Sequence, residues 1–399
     1  MSATTRLPQG FRAAGVHCGI KRNPQKPDLS LIVSDAPAVA AGTYTTNRVF
    51  AAPVALDRAR TPGDGFRAVV INSGNANACT GERGDRDAEQ MARLAAESCA
   101  ADAGKVLVLS TGVIGQYLPM EKIAAGIQQA AGRLAHDEDA LVLAARGMMT
   151  TDSVHKLASR QFKTAGGSFQ ITGLAKGAAM IGPNMATMLA VILTDARLTP
   201  EAAQQALSAA VDRSFNCISV EGHMSTNDTV LLLAGGAAGG PALPTDKGTE
   251  FRQALDDVCQ ELARAIPADG EGATHLVTID VRGLGTYQQA RMIAKTVGES
   301  SLVKTAIAGG DPNWGRIVSA AGYAGVPFDP ARIGLSVNGV ALYRDGAPVA
   351  FDEAATSRSI REQRETHIEI AFGEGDAAAR FWTTDLTAEY VRLNADYRT

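Results

Sequence analysis

Aromatic residues are scarce, at 5% of a 399-residue chain that is 45% hydrophobic and holds 41 glycines. The core must therefore be built mainly from Ala, Val, Leu and Ile, which suits a close-packed α/β protein and excludes a disordered one. Cysteine is sparse too. Cys18, Cys79, Cys99, Cys217 and Cys259 are odd in number and never form a C-x-x-C pair, which argues against a disulfide framework or a structural zinc site. Neither charge is in large excess: 38 Lys plus Arg face 42 Asp plus Glu, a net charge of −4. A chain that neutralised many phosphates would carry a basic surplus, so nucleic acid is not an expected partner. An uninterrupted apolar span is missing as well, because the uncharged run 177–194 is broken by Gly182, Pro183 and Asn184, and no membrane contact is expected. Residues 1–20 carry Arg6 and Arg12 and no apolar stretch before a cleavage signature, so no secretory signal is read and the expected address is cytoplasmic.

The familiar catalytic motifs are also absent. Lys304-Thr305 follows Val303 rather than Gly, and Gly270–His275 puts His at the third glycine position of a dinucleotide fingerprint. Neither a P-loop nor a nicotinamide site is indicated. There is no H-E-x-x-H and no G-x-S-x-G. The six histidines, at positions 17, 136, 155, 223, 275 and 367, are isolated; a relay built from residues distant in the chain is not legible from spacing.

What is present alternates strand and helix. Apolar runs at 67–71 and 106–109 predict strands that end in the turn-rich segments 72–77 and 110–112. Helices are expected over 85–99, 119–133 and 138–149. From about 158 the period falls to two, giving a hairpin around Gly166-Gly167. A further strand begins at about Thr187. Thr199-Pro200-Glu201 starts a helix with an N-cap hydroxyl and Pro in the first turn, and Phe251, Leu255, Val258 and Leu262 mark another. Residues 234–244 read as a loop. Alternation at Val277, Ile279 and Val281, a hairpin about Asn338-Gly339, and alternation at Ile368, Ile370 and Phe372 predict a smaller C-terminal lobe.

Thr187 begins an apolar strand directly behind a Gly-Pro-Asn turn, flanked by Met185-Ala186 and Met188-Leu189. On residue type alone two readings stand. It is a buried Thr bonded to its own backbone, or it is a nucleophile whose own α-amine serves as base once the preceding peptide bond is cut. Such an amine titrates at about 7.7–8.0 unperturbed.

The segment Lys176-Gly177 to Met185-Ala186-Thr187-Met188-Leu189 resembles the self-cleaving segment of the ornithine acetyltransferase family of arginine biosynthesis, also called the bifunctional glutamate N-acetyltransferase family. The likeness runs along the whole chain. Asn72–Gly81, Ser110–Gly115, Met149–Asp152, Ser225–Thr229, Asp269–Gly272, Gly310–Arg316 and Tyr390–Asn394 resemble that family's signatures in order.

The resemblance implies an α/β (α+β) fold: an αββα sandwich like the N-terminal-nucleophile hydrolases, with a smaller C-terminal α+β lobe. It implies cleavage between Ala186 and Thr187 into an alpha chain, 1–186, and a beta chain, 187–399. Residues 187–280 would complete the core and 281–399 would form the lobe. Thr187 would then take acetyl from N2-acetylornithine, release ornithine, and pass the acetyl to glutamate to give N-acetylglutamate. Thr111 and Gly112 would form the oxyanion hole from a loop just past a strand. Thr150, Lys176, Thr187, Glu271, Asn394 and Thr399 would bind substrate, with Thr151 the near alternative to Thr150. Lys176 suits a carboxylate and Glu271 a cation, although read singly both are surface charges. No metal and no cofactor are implied, and acetyl-CoA stands open as a second donor. The two fragments would stay paired and assemble into α2β2 or larger.

One departure stands out. Before Ser225 the family commonly has an acidic Asp-Gly-Asp-Thr run, where this chain reads Glu221-Gly222-His223-Met224. That leaves substrate preference at this loop open, and His223 reads as a surface-loop residue or a pocket group. Two other functions remain: an N-terminal-threonine amidohydrolase or aminopeptidase that passes the acyl group to water, and a non-catalytic amino-acid-binding protein.

Overall fold

The computed structural model describes residues 5–182 and 188–396. Its larger part is built on one eight-stranded sheet that doubles back on itself. One half contains β1 (Phe11–Val16), β2 (Leu29–Tyr44), β3 (Gly63–Asn75) and β4 (Val106–Val113); the other contains β5 (Lys156–Thr164), β6 (Gly167–Lys176), β7 (Leu189–Thr194) and β8 (Thr229–Ala234). The long strand β2 joins the halves. Its first part, Leu29–Ser34, pairs with β1, and its second, Val39–Tyr44, pairs with β8. Between them the register with β3 slips twice, and such irregularities bend a strand.

Period-two alternation then sorts the side chains into layers. Val69, Ile71, Leu107 and Leu109 share one core with Leu189, Val191, Leu193, Leu231 and Leu233 from the opposite half. Their neighbours face outward on both sides. Ala68, Val70, Val106 and Val108 pack on α2 (Gly81–Ser98) and α3 (Met120–Ala131), through Met91, Ala95, Ile123 and Ile127. Ala190, Ile192, Val230 and Leu232 pack on α5 (Pro200–Asp212) and α6 (Glu250–Ala268), through Leu207, Phe251, Leu255 and Leu262. The result is the αββα sandwich expected. Helix α1 (Ala52–Arg60) lies against β4, and α4 (Glu138–Met148) adds Leu141, Ala144 and Met148 to the inter-sheet core. Thr199 caps α5 by accepting the Ala202 N–H at 3.2 Å, as its sequence position requires.

The lobe is a six-stranded sheet in the order β12-β11-β10-β13-β9-β14. Its strands are β9 (Leu276–Leu284), β10 (Gly334–Val337), β11 (Val340–Arg344), β12 (Ala347–Pro348), β13 (Glu365–Ala371) and β14 (Ala377–Thr384). It carries α7 (Tyr287–Glu299), α8 (Ser301–Ala308), α9 (Trp314–Gly322) and α10 (Glu353–Glu362). The second sheet begins at Leu276, ahead of the boundary expected at 281, because Val277, Ile279 and Val281 all point into the lobe's own core. The last helix, α11 (Ala388–Asp396), follows β14. No helix among the described residues is long and apolar enough to cross a membrane.

Candidate active site

A cavity of about 230 Å³ opens where β4, β6, the turn after α4, the turn after α6 and α11 converge. Thr111, Gly112, Thr150, Thr151, Lys176, Glu271 and Asn394 all line it. Of the residues singled out in the sequence, Pro183, Asn184, Met185, Ala186, Thr187 and Thr399 lie outside the described residues; Met188, the first described residue after Thr187, is fully buried.

The expected loop position of Thr111 and Gly112 needs correction. β4 runs on through Val113, and Thr111 and Gly112 pair with Ser73 and Gly74 of β3. Strand pairing carries Ser110–Gly112 past the point where apolar character ends. The glycine is required twice over. Its φ is +135°, and a Cβ there would sit 2.3 Å from the Gly74 carbonyl carbon, well inside any tolerated contact.

Lys176 ends β6, whose last eight residues are all buried. The strand carries the lysine in with it, to 1% exposure, so it is not the surface charge its residue type suggests. Its Nζ donates to Thr111 Oγ1 at 3.3 Å. Burial pulls the Lys176 pKa down, and the Asp152 carboxylate opposes that shift. Asp152 itself is fully interior, yet burial is outweighed by the charges of Lys176 and Lys156 and by the Gly177 N–H, which hold it at about 2.

At the other end, Glu271 sits on the turn that closes α6, fixed by its N–H to the Ala178 carbonyl at 2.9 Å. Its Oε2 accepts Asn394 Nδ2 at 3.1 Å. Asn394 and Tyr390, four residues apart on α11, share a helix face, and both line the cavity. The cavity thus has a cationic pole at Lys176 and an anionic pole at Glu271.

Glu221 and His223 join the wall. Glu221 Oε1 accepts the Ile181 N–H at 2.6 Å, and burial pushes its pKa up to about 7. His223 is exposed, so both earlier readings of it meet: a surface-loop histidine that also edges the cavity. Nearby, Asn227 Nδ2 donates to the Ala76 carbonyl at 2.7 Å and the Ser110 carbonyl at 2.8 Å, clamping the chain just past β3 to β4; β3 itself runs to Asn75, so most of the turn expected at 72–77 is strand. Asp228, fully buried, accepts the Met188 N–H at 3.0 Å; burial drives its pKa well above the carboxylate range. Sequence reasoning named neither Asp152 nor Asp228 as a site residue. Their only signal was membership of the Met149–Asp152 and Ser225–Thr229 motifs. Among the described residues no cluster of His, Cys, Asp and Glu is arranged to hold a metal ion.

The model of the ArgJ family matches residues 12–399. The chain belongs to the ArgJ family. It is 48% identical over 396 residues to the arginine biosynthesis bifunctional protein ArgJ of Rhodopirellula baltica, covering 98% of this chain and 96% of that protein. It is also 48% identical to the protein of the same name from Symbiobacterium thermophilum, covering 98% of each. Among solved structures, ArgJ from Bacillus halodurans is 38% identical, with a TM-score of 0.49, covering 51% of this chain and 96% of that chain. Ornithine acetyltransferase from Mycobacterium tuberculosis, complexed with ornithine, is 35% identical, with a TM-score of 0.40, covering 45% of this chain and 95% of that chain.

Proposed function

We propose that the chain cuts itself between Ala186 and Thr187 and then transfers acetyl from N2-acetylornithine to glutamate through an acetyl ester on Thr187. The observation that carries this reading is the convergence of Thr111, Gly112, Thr150, Lys176, Glu271 and Asn394, from separate segments, on one cavity. Its poles fit an acetylated diamino acid, with Lys176 against the carboxylate and Glu271, held by Asn394, against the ammonium.

In self-cleavage, Thr187 Oγ attacks the Ala186 carbonyl carbon, the peptide C–N bond breaks, and an ester forms. Water then hydrolyses the ester, leaving a carboxylate on Ala186 and a free α-amine on Thr187. In transfer, that amine takes the Oγ proton as Oγ attacks the acetyl carbon of N2-acetylornithine. Ornithine leaves with its α-amine restored, and the glutamate α-amine attacks the acetyl-Thr187 ester; the acetyl–Oγ bond breaks, N-acetylglutamate leaves, and Thr187 Oγ takes back a proton from its own α-ammonium. Each attack develops an oxyanion, for which Thr111 and the Gly112 N–H are the proposed donors, each worth roughly 10²–10³ in rate. The fragments stay together as a pair, assembled further into α2β2 or larger, and the enzyme works in the cytoplasm with no metal or resident cofactor. The assay is ornithine release with N2-acetylornithine, with and without glutamate, and with acetyl-CoA as the second donor tried. Parallel double-reciprocal lines and one N-acetylglutamate per ornithine are expected. Free acetate formed at the same rate without glutamate would overturn transfer in favour of hydrolysis.

A further inference from the structure

A buried chain of ions lies behind the two poles of the cavity. Asp152 accepts the Gly177 N–H at 2.6 Å and Lys156 Nζ at 2.7 Å on Oδ1, and the Thr150 N–H at 3.1 Å on Oδ2. Lys156 Nζ, 1% exposed, also reaches Asp269 Oδ2 at 2.7 Å. Asp269 in turn accepts the Ser153 N–H at 3.0 Å. Asp152 therefore grips the backbone at Thr150 and immediately after Lys176, while Asp269 opens the turn that carries Glu271. The chain also crosses the expected cleavage point, since Lys156 precedes it and Asp269 follows it.

We propose that Asp152, bridged through Lys156 to Asp269, is a positioning residue that keeps Lys176 charged and sets the separation of the carboxylate-binding and ammonium-binding poles. This rests on the reading of Lys176 and Glu271 given above. The charged groups facing Lys176 are Asp152 from the turn after α4, Lys156 from β5, Asp228 ahead of β8, Glu271 after α6, and Lys21 from the connection between β1 and β2. Two of these are cations that disfavour a charged lysine. Asp228 is driven toward its neutral form by burial. Asp152 is the anion whose charge is secured, because it is itself hydrogen-bonded to Gly177 and Lys156.

Asp152→Asn retains the shape and one acceptor, enough for the Gly177 N–H and Lys156, but removes the charge and turns an amide nitrogen toward the Thr150 N–H that Oδ2 accepts. Without its counter-charge Lys176 loses its proton at lower pH, since an adjacent opposite charge moves a pKa by about 1–3 units. The expected result is that the alkaline limb of kcat/KM for N2-acetylornithine moves down by about 1–3 pH units. The loss should lie in KM, with a constant part from the lost Thr150 contact and a further part that grows toward alkaline pH. Lys156→Met leaves Asp152 facing Lys176 and removes a repelling cation, so the limb does not move down. The tether to Asp269 is lost, and KM rises by one factor at every pH. An unmoved alkaline limb in Asp152→Asn, or a downward limb shift in Lys156→Met, would overturn the proposal. If Asp152→Asn does not fold, a downward limb shift in Lys156→Met still overturns the proposal. Lys176→Met separates the two levels. An unchanged KM there removes the reading of Lys176, whereas a raised KM with an unmoved limb in Asp152→Asn removes only the role of Asp152.

Discussion

Gly112→Ala is the sharpest mutational probe of the cavity, because the structure states what the added methyl meets. It would lie 2.3 Å from the Gly74 carbonyl carbon and 2.5 Å from the Asn75 nitrogen, all backbone, at a φ of +135°. Ordinary carbon contacts need about 3.5 Å, so the β3–β4 pairing must open by roughly 1 Å. Overpacking of this kind costs about 1–3 kcal/mol, and forcing a non-glycine residue to such a φ adds about 1–3 kcal/mol. The chemistry suffers more. A shift of about 1 Å in a donor that should meet a developing oxyanion costs on the order of 10² in rate, in line with the 10²–10³ lost with one oxyanion-hole donor. The assay is kcat for ornithine release from protein that still melts cooperatively, beside Gly322→Ala as a control at the end of α9, where the added Cβ meets nothing within 4 Å and φ is not positive. The expected outcome is a kcat fall of about 10²–10³ in Gly112→Ala, with a lowered Tm. Unchanged kcat and Tm would refute both the tight β3–β4 packing and the proposed donor.

Other outcomes follow from the same geometry. Asn227→Ala leaves the buried Ala76 and Ser110 carbonyls without this donor; at about 1–3 kcal/mol for each buried group left unpaired, denaturant unfolding should show a loss of about 2–6 kcal/mol. Burial raises the Glu221 pKa from 4.5 to about 7, so the folded state holds a proton that the unfolded state releases between those values. Stability should therefore fall as pH rises from about 4.5 to 7, and Glu221→Gln should flatten that fall in thermal melts taken across the range. Phe251, 1% exposed on the α6 face that covers the sheet, should cost about 3–5 kcal/mol when cut to Ala, read as a drop in denaturant midpoint.

Much of this fold was legible where local chemistry is self-sufficient. Thr199-Pro200 starts α5 because cap and first turn need nothing from elsewhere. Asn338-Gly339 turns the β10–β11 hairpin with both φ values positive, 48° and 79°, the demand a two-residue turn makes. β2 was not legible. Asp35-Ala36-Pro37 interrupts its apolar pattern with exposed residues, and only pairing to β1 on one side of the break and β8 on the other shows it to be one strand. β4 was read too short for a related reason, since Ser110–Gly112 has turn chemistry that strand pairing overrides.

For the site, residue types and motif order nominated residues that the structure brings together on one cavity, while the burial of Lys176 was hidden. A lysine is ordinarily a surface residue, and only the complete burial of the β6 end beside Asp152 makes it interior. Asp152 and Asp228 escaped because each holds a backbone N–H far away in sequence. No periodicity encodes Gly177 or Met188 as their donors.

The central claim is that Thr187 is made the N-terminal residue of its own fragment and then carries the acetyl group. Intact mass of untagged protein under denaturing conditions, wild type beside Thr187→Ala, tests it most directly. The expected result is two masses matching 1–186 and 187–399 for the wild type, a gain of one acetyl on the second fragment after brief exposure to N2-acetylornithine, and one uncut species for Thr187→Ala. A single wild-type species of 41.5 kDa, or a variant cut at the same bond, would contradict it.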